Sequence, residues 1–187
     1  ESSTLGKVID SGISDVFNMG GVMAVAAADT IYNHLKDTGR SVSYYDMVFT
    51  GDLGIYGKEI LKEYNVQVDV RCLSAHRAHS ELCEFIHEAN NNGTEVIIAA
   101  AGMAAALPGV IAAGTIIPVI GVPISGSTLD GIDALLSIAQ MPPGIPVATV
   151  AINGSKNAAY LALQIMAVHH EDIKVKLLTY RKEMEEA

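Results

Sequence analysis

Two histidines, an arginine and two serines lie within one ten-residue stretch, "LSAHRAHSEL" at positions 73–82. An imidazole can give and take a proton near neutral pH. A guanidinium presents a rigid fork of donors that suits a phosphate or a carboxylate. His76 and Arg77 therefore predict proton transfer on an anionic substrate, with Ser74 as a small donor or acceptor beside them. The plainer alternative is that His76 is only a polar residue at the end of a strand.

A metal site is the other chemistry that this stretch admits, because His76 and His79 stand in a His-x-x-His pattern. Zinc sites take at least a third protein ligand, and the sequence offers no evident candidate. We therefore predict no metal, and we interpret His79 as an exposed residue in the first turn of a helix with Ser80 as its N-cap. Cys72 and Cys83 are too few for a disulfide framework and are expected to be small core residues.

Charge excludes one class of partner. The chain carries a formal net charge of −9 and has no basic stretch, whereas nucleic-acid binding needs clustered Lys and Arg against the phosphates. An anionic small molecule is still compatible, because a few local cations and backbone N–H groups suffice. With no apparent signal peptide, the expected location is the cytoplasm.

Residues 96–124 carry no charge, and a membrane-spanning helix needs only about 20 apolar residues. However, Pro108, Pro118 and Pro123 interrupt this stretch. We expect a buried passage of strand, loop, helix and strand here, and no membrane partner.

Apolar runs alternate with helix-like segments along the chain, which predicts a mostly parallel sheet with helices on both faces. The predicted strands are "KVID", "YDMVFTGD", "VQVDVRCLS", "EVIIAAA", "IIPVIGVP" and "IPVATVAIN". The charged tail from residue 171 onwards is a predicted helix. Its apolar positions are expected to pack on another surface; they are Ile173, Leu177, Leu178 and Met184.

In such sheets, ligands bind beyond the carboxyl ends of the strands. Four predicted loops occupy that edge: "TGDLG" at 50–54, "SAHR" at 74–77, "AAGMAAALPG" at 100–109 and "PISGSTLDG" at 123–131. The site is therefore predicted among these four loops.

Five motifs follow one another between residues 64 and 170: "SAHR", "LPG", "PVIGVP", "DALLSIAQMPPGIPVATVAI" and "KNAA". In these motifs the chain closely resembles the PurE family, the carboxyaminoimidazole ribonucleotide mutases of purine biosynthesis, and the arginine of "SAHR" resembles the mutase branch of that family. The resemblance implies a flavodoxin-like three-layer α/β sandwich, a homo-octamer, and a reaction without metal or organic cofactor. In that reaction a carboxylate moves from an exocyclic nitrogen to a ring carbon of an aminoimidazole ribonucleotide. His76 is implied as the catalytic proton shuttle.

The family's phosphate and ribose motif, "GSxSD", does not stand at its usual distance before His76. The strand-end loop with Gly51 and Asp52 is the nearest replacement, and "SGISD" at 11–15 is the alternative. The predicted substrate-binding residues are Ser74, Arg77, Gly51, Asp52, Ala101, Gly102, Leu107 and Ser125.

Residues 4–61 include the segments "GKVIDSGISDVFNMGGVMAVAAADTIYNHLKDTGR" and "YDMVFTGDLGIYGKEIL". These segments carry a second resemblance, to stage V sporulation protein AD, a thiolase-fold spore protein. The two resemblances together imply a fusion. Residues 1–63 would be a thiolase-fold-like α/β segment that supplies the first strand and helix. Residues 64–187 would be the PurE-like domain with its C-terminal helices, ending in the tail helix. Condensing chemistry is not expected, because no thiolase cysteine is identifiable.

Two departures from the family's usual loop, "GAGGAAHLPG", leave other functions open. In "AAAGMAAALPG", Met103 replaces a glycine and Ala106 replaces the loop histidine. A non-catalytic ligand-binding or scaffold protein that retains the PurE-like core is the main alternative to the enzyme. A carboxylating enzyme that acts on a different ring is the third interpretation.

Overall fold

The computed structural model describes residues 47–48, 54–126 and 128–186, which lie in one compact unit spanning Asp46–Ala187. The strands are β1 (Met47–Val48), β2 (Asp69–Val70), β3 (Ile97–Gly102), β4 (Val119–Ile124) and β5 (Ala148–Thr149). The helices are α1 (Gly54–Glu63), α2 (His79–Asn91), α3 (Leu107–Ala113), α4 (Ile132–Ala139), α5 (Ser155–Met166) and α6 (Glu171–Glu186). The predicted strand "KVID", the helix that follows it, and the loop at 11–15 lie outside the described residues.

Every strand pairing among the described residues is parallel. β1 pairs with β2, and β3, β4 and β5 form a second ladder in that order. Ile97 of β3 lies opposite Val119 of β4, and the pairing runs on to Gly102 opposite Ile124. The loops that follow β3 and β4 therefore leave the sheet at the same edge, as the alternation of strands and helices predicts.

Successive residues of β3 face opposite sides of the sheet, which divides the interior into two apolar layers. Ile98 and Ala100 pack with α1, α5 and α6 on one side. Ile97 and Ala99 pack with α2 and α3 on the other side, where α4 adds a smaller adjoining cluster around Ile138. The predicted α/β fold with a parallel sheet between two helical layers is thus confirmed for this part of the chain.

Gly121 allows α4 to approach β4 closely. A Cβ atom at this position would lie well inside contact distance of Ile138 Cγ2, and 3.0 Å from Val147 Cγ1. Since a side chain here would push α4 off the sheet, the glycine sets the depth at which that helix packs.

The tail helix α6 packs on the same unit. Ile173 and Leu177 are buried in the cluster shared with α5, and the rings of Tyr160 and Tyr180 stack with centroids 5.0 Å apart. Leu178 and Met184 are exposed. The expectation of packing is therefore confirmed for Ile173 and Leu177. Leu178 and Met184 lie off this buried stripe, and their packing on another surface, such as that of a neighbouring subunit, stays a prediction.

Three local predictions were wrong. Ser80 is the second residue of α2 and not its N-cap; Ala78 occupies that position without a side-chain bond. Cys72 and Cys83 are exposed rather than buried. Cys83 lies outside the buried stripe of α2, which is formed by Leu82, Ile86 and Ala89.

The uncharged stretch 96–124 forms β3, α3 and β4, as predicted. Among the described residues, no helix has both the length and the apolar character needed to cross a bilayer.

Candidate active site

The turn between β2 and α2 carries the predicted catalytic residue, His76, and the predicted substrate-binding residue Arg77. The Ala78 amide donates to the Ser74 carbonyl at 2.9 Å, which closes the turn just before α2 begins. Leu73 and Ala75 pack against the interior cluster on that side of the sheet, while His76 and Arg77 are exposed. The apolar residues therefore anchor the turn and leave the imidazole and guanidinium at the surface.

Arg77 is set apart from the neighbouring arginine by its lack of structural bonds. Arg71 makes ion pairs with Asp69 at 3.2 Å and Glu88 at 2.9 Å, and it lies over the Phe85 ring. Neither Arg77 nor His76 has a side-chain hydrogen bond or ion pair to the described residues. Of these two arginines, Arg71 is thus committed to joining β2 and α2, and Arg77 is available for an anion.

The loop after β3 combines close backbone contact with a strained conformation. A Cβ atom on Gly102 would lie 3.2 Å from the Ile124 carbonyl oxygen, so the ends of β3 and β4 touch here. Met103 and Ala105 have positive φ angles of 55° and 37°, which are unfavourable for residues with a side chain. Ala101 is half-buried, and Gly102 is exposed. This part of the site therefore offers backbone groups rather than side chains.

Leu107, a predicted substrate contact, is the first residue of α3. Its side chain is buried in the cluster beneath the sheet, so only its backbone is placed to meet a ligand. Ala106, which stands where the family has a histidine, is half-buried and supplies no polar group.

The first residue of the loop after β4, Ser125, is packed closely against Gly131. Gly131 has a φ of 88°, and a Cβ atom on it would lie 3.1 Å from Ser125 Cα and 3.2 Å from Ser125 N. Ser125 is half-buried at the end of β4. Because Gly131 lies close to the Ser125 backbone, the positions open to the Ser125 hydroxyl are restricted.

Asn153 belongs to the same edge and was missed by the sequence analysis. Its Oδ1 accepts a hydrogen bond from the Ser125 amide at 3.0 Å, and its Nδ2 donates to the Ser125 Oγ at 2.7 Å. The predicted strand "IPVATVAIN" ends on this polar residue, so the strand-end argument that selected the other four loops would have found it if applied to the fifth.

The structure thus brings together the ends of β3, β4 and β5, with Gly102, Ser125 and Asn153. The turn with His76 packs on the same apolar cluster as the β3 loop, since Ala75 and Ala101 both adjoin it. Gly51 and Asp52 lie outside the described residues.

The remaining polar groups of α2 form no competing site for an anion. His79 lies beside Cys83, with Nε2 and Sγ 3.6 Å apart, and within the described ranges no three His, Cys, Asp or Glu residues are grouped to hold a metal ion. A surface depression of about 400 Å³ on this helix is lined by Cys83, Glu84, His87 and Glu88, and its two carboxylates disfavour a negatively charged ligand.

Comparison with known proteins identifies the family to which this fold and edge belong. The family model described as AIR carboxylase matches residues 53–187. The chain belongs to the AIR carboxylase family. The match covers both helical layers and every loop of the described edge.

Curated members of the AIR carboxylase family are close in sequence. The N5-carboxyaminoimidazole ribonucleotide mutase of Pyrococcus abyssi is 55% identical over 126 residues, which are 67% of this chain and 72% of that protein. The phosphoribosylaminoimidazole carboxylase of Candida glabrata is 48% identical over 128 residues, 68% of this chain but only 22% of that longer protein. The matched region therefore occurs both in short mutases and as part of larger carboxylases.

A solved structure agrees with the fold. The crystal structure of Treponema denticola PurE superposes with a TM-score of 0.65 at 25% identity, covering 70% of this chain and 82% of that one. The agreement includes the parallel sheet with helices on both faces.

Proposed function

We propose that this chain interconverts N5-carboxyaminoimidazole ribonucleotide and 4-carboxy-5-aminoimidazole ribonucleotide in purine biosynthesis. The observation that carries the proposal is the 55% identity to a mutase of that name over 126 residues, which include the "SAHR" turn. An exposed imidazole and a guanidinium without a partner in the described part of the chain are the groups in that turn that suit such a substrate.

His76 is the proposed catalytic acid and base. In the forward direction the bond between the exocyclic nitrogen and the carboxylate breaks, carbon dioxide leaves, and the nitrogen takes up a proton. The ring carbon then attacks the carbon dioxide and loses its own proton. One proton is taken up and one is released, so a single imidazole can serve both steps if it reaches both atoms.

Arg77 and the backbone of the β3 loop are the proposed binding groups. A guanidinium with no structural partner among the described residues can form two parallel bonds to a phosphate or carboxylate. Gly102 lets the chain approach a flat ring closely, because no Cβ intervenes. Ser74, Ala101, Leu107 and Ser125 complete the predicted contacts at this edge, and Gly51 and Asp52 remain the predicted phosphate and ribose contacts.

Self-association is part of the same proposal, with the homo-octamer of the PurE resemblance as the expected assembly. Leu129, Ile132 and Leu136 are 57%, 55% and 49% exposed along and just before α4. Apolar side chains exposed together on one helix favour contact with another copy. Light scattering of the purified chain tests this, and a monomer would contradict it. The cytoplasm remains the proposed location.

The alternative function is a non-catalytic ligand-binding or scaffold protein that retains the PurE-like core. It is favoured by Ala106 in place of the loop histidine and by Met103, which is 61% exposed in the same loop. The fusion of residues 1–63 with a PurE-like domain stays a prediction, as does the boundary after residue 63.

The deciding experiment supplies the purified chain with N5-carboxyaminoimidazole ribonucleotide and follows formation of the 4-carboxy isomer, with spontaneous decay subtracted. His76→Asn is expected to lower turnover by about 10²–10⁴-fold, the usual contribution of general acid–base catalysis. His79→Asn, a neighbouring exposed histidine, is the matched control and should leave turnover unchanged. Equal rates in the wild type and the His76→Asn variant would refute the assignment. A folded, oligomeric wild type without turnover would favour the scaffold. Supplying 5-aminoimidazole ribonucleotide with bicarbonate separates mutase from direct carboxylase activity.

A further inference from the structure

The Asn153 side chain fixes both the backbone and the side chain of one residue across the edge of the sheet. The Ser125 amide is only a donor, so the amide oxygen of Asn153 must face it, at 3.0 Å. The NH₂ group therefore faces the Ser125 hydroxyl, 2.7 Å away. The orientation of the Asn153 amide is thus determined by chemistry, because the reverse orientation would oppose two donors.

This arrangement decides how the Ser125 hydroxyl can act. A hydroxyl has one proton to donate and two lone pairs that accept. One lone pair is occupied by Asn153 Nδ2, so the proton of Ser125 is free to point to another acceptor. Accepting a bond also polarises the hydroxyl and strengthens it as a donor.

The position of Asn153 is itself held in place. Its backbone amide donates to the Pro123 carbonyl at 2.8 Å, and its φ of 57° lies in the left-handed region, which asparagine tolerates better than most residues. The following Gly154 allows a tight turn, because a Cβ atom there would lie 2.7 Å from the Ala151 carbonyl oxygen. Residues kept in such conformations by their surroundings are concentrated at functional sites.

The hydroxyl lies at the edge where the substrate is proposed to bind. Ser125 directly follows Ile124, which pairs with Gly102, the last residue of β3. Gly131 packs against the other side of Ser125. The donor is therefore fixed next to the backbone that the proposed function assigns to the ring, and the carboxylate is attached to that ring.

We infer that Asn153 is a positioning residue that holds the Ser125 hydroxyl as a hydrogen-bond donor for the carboxylate of the substrate. The inference rests on the proposed function, because that function supplies the carboxylated ribonucleotide. A phosphate oxygen has the same acceptor chemistry, so the test must separate the two groups.

The test uses Asn153→Asp, which has nearly the same shape but no donor. Its carboxylate would accept the Ser125 hydroxyl proton, which would turn the donor away from the substrate. We expect the KM for 4-carboxy-5-aminoimidazole ribonucleotide to rise by about tenfold or more, the value of one hydrogen bond to a charged group. The inhibition constant of 5-aminoimidazole ribonucleotide, which keeps the phosphate but lacks the carboxylate, should change much less.

Ser125→Ala distinguishes two consequences of Asn153→Asp, the loss of the hydroxyl donor and the added negative charge. In the Ser125→Ala background, Asn153→Asp retains its charge but has no hydroxyl to redirect, so its effect on KM should be clearly smaller than in the parent. Ser125→Ala should itself raise the KM, because it removes the donor. Ser125→Thr keeps a hydroxyl and should have a KM close to that of the wild type. Were Asn153→Asp to prevent folding, Ser125→Ala with its Ser125→Thr rescue would still test the donor.

Asn90→Asp is the matched control. Asn90 also joins two elements, with its Nδ2 donating to the Gly114 carbonyl at 3.0 Å. Gly114 precedes β4, whereas Ser125 follows it, so this bond does not involve the loop of the proposed site. We expect a loss of thermal stability and no change in KM.

Three outcomes would overturn the inference. In the first, Asn153→Asp changes the KM equally with and without the Ser125 hydroxyl. In the second, it weakens the binding of both nucleotides equally. In the third, Asn153→Asp has the kinetics of the wild type. Equal weakening would assign the donor to the phosphate. A wild-type chain that neither converts nor binds the nucleotides would overturn the proposed function itself, and this role with it.

Discussion

The turn after β2 and the loop after β4 lie at the carboxyl edge of the sheet but are built in opposite ways. The turn with His76 and Arg77 is closed by one backbone hydrogen bond, and both side chains are exposed. The β4 loop is held by two bonds from Asn153 and by the close packing of Gly131 on Ser125. The residues proposed to move protons or bind an anion, His76 and Arg77, are thus on a turn with few structural bonds. Ser125, the proposed hydrogen-bond donor, is held firmly.

This difference has a physical reason. A proton shuttle must reach two atoms of the substrate, so its imidazole benefits from freedom until the substrate orders it. A hydrogen-bond donor gains most when its direction is set in advance, because no ordering is then needed on binding. The comparison predicts that changes in the turn affect catalysis and changes in the β4 loop affect stability as well.

The largest effect is expected in the turn. Arg77→Ala should lower kcat/KM by about ten- to hundredfold, since bonds between charged groups are worth about 1.5–3 kcal/mol. The thermal midpoint should stay within about 2 °C of the wild type, because Arg77 has no side-chain partner among the described residues. A large fall in the midpoint would mean that the guanidinium supports the fold, and the contrast between the two loops would be lost.

In the β4 loop, Gly131→Ala should destabilise the protein by about 2 kcal/mol, from the positive φ together with the contacts of the added Cβ with Ile152 and Ser125. Gly144→Ala is the matched control, because Gly144 has a φ of 94° but nothing within 4 Å of the added Cβ. It should cost about 1 kcal/mol, from the φ alone. Urea unfolding measures both. Equal losses would show that the packing behind Ser125 contributes nothing.

The β3 loop sharpens the comparison through Met103, which has a φ of 55°. Met103→Gly should raise the free energy of unfolding by about 0.5 kcal/mol, as relief of the left-handed strain slightly exceeds the entropy cost of glycine. Met184, 58% exposed within α6, provides the control, and Met184→Gly should lower the free energy by about 1 kcal/mol. The same sign in both variants would argue against strain at Met103.

The smallest effect belongs to the tail. Burial, followed by the side-chain hydrogen bond that Tyr160 donates to Tyr180, raises the pKa of Tyr160 above its usual value. The unfolded chain therefore loses this proton first, and stability falls as the pH rises above about 10, the ordinary tyrosine value. Tyr160→Phe should make the fall of the thermal midpoint between about pH 9 and 11 shallower. An unchanged slope would show that ionisation of Tyr160 does not govern the anchoring of α6.

Much of this molecule follows from local patterns in the sequence. The order of strands and helices, the parallel pairing, and the presence of "SAHR" at a strand end all follow from apolar runs, breakers and the strand-end rule. These patterns can be recognised within short segments, because the apolar residues of a segment largely decide whether that segment is buried. They also placed Gly102 and Ser125 on neighbouring loops at one edge, which the pairing of β3 with β4 bears out.

Only the tertiary structure decided which side chains meet. Asn153 and Ser125 are 28 residues apart, and their bonds depend on the register of β4 against β5, which no local pattern specifies. The same holds for Arg71, tied to Asp69 and Glu88 while Arg77 is left available. It holds also for Leu107, whose side chain turns into the core because α3 packs down on the sheet. The types and order of the residues thus determined which chemical groups are present. The packing of distant segments determined which of these groups are fixed by structural bonds and which are left for the substrate.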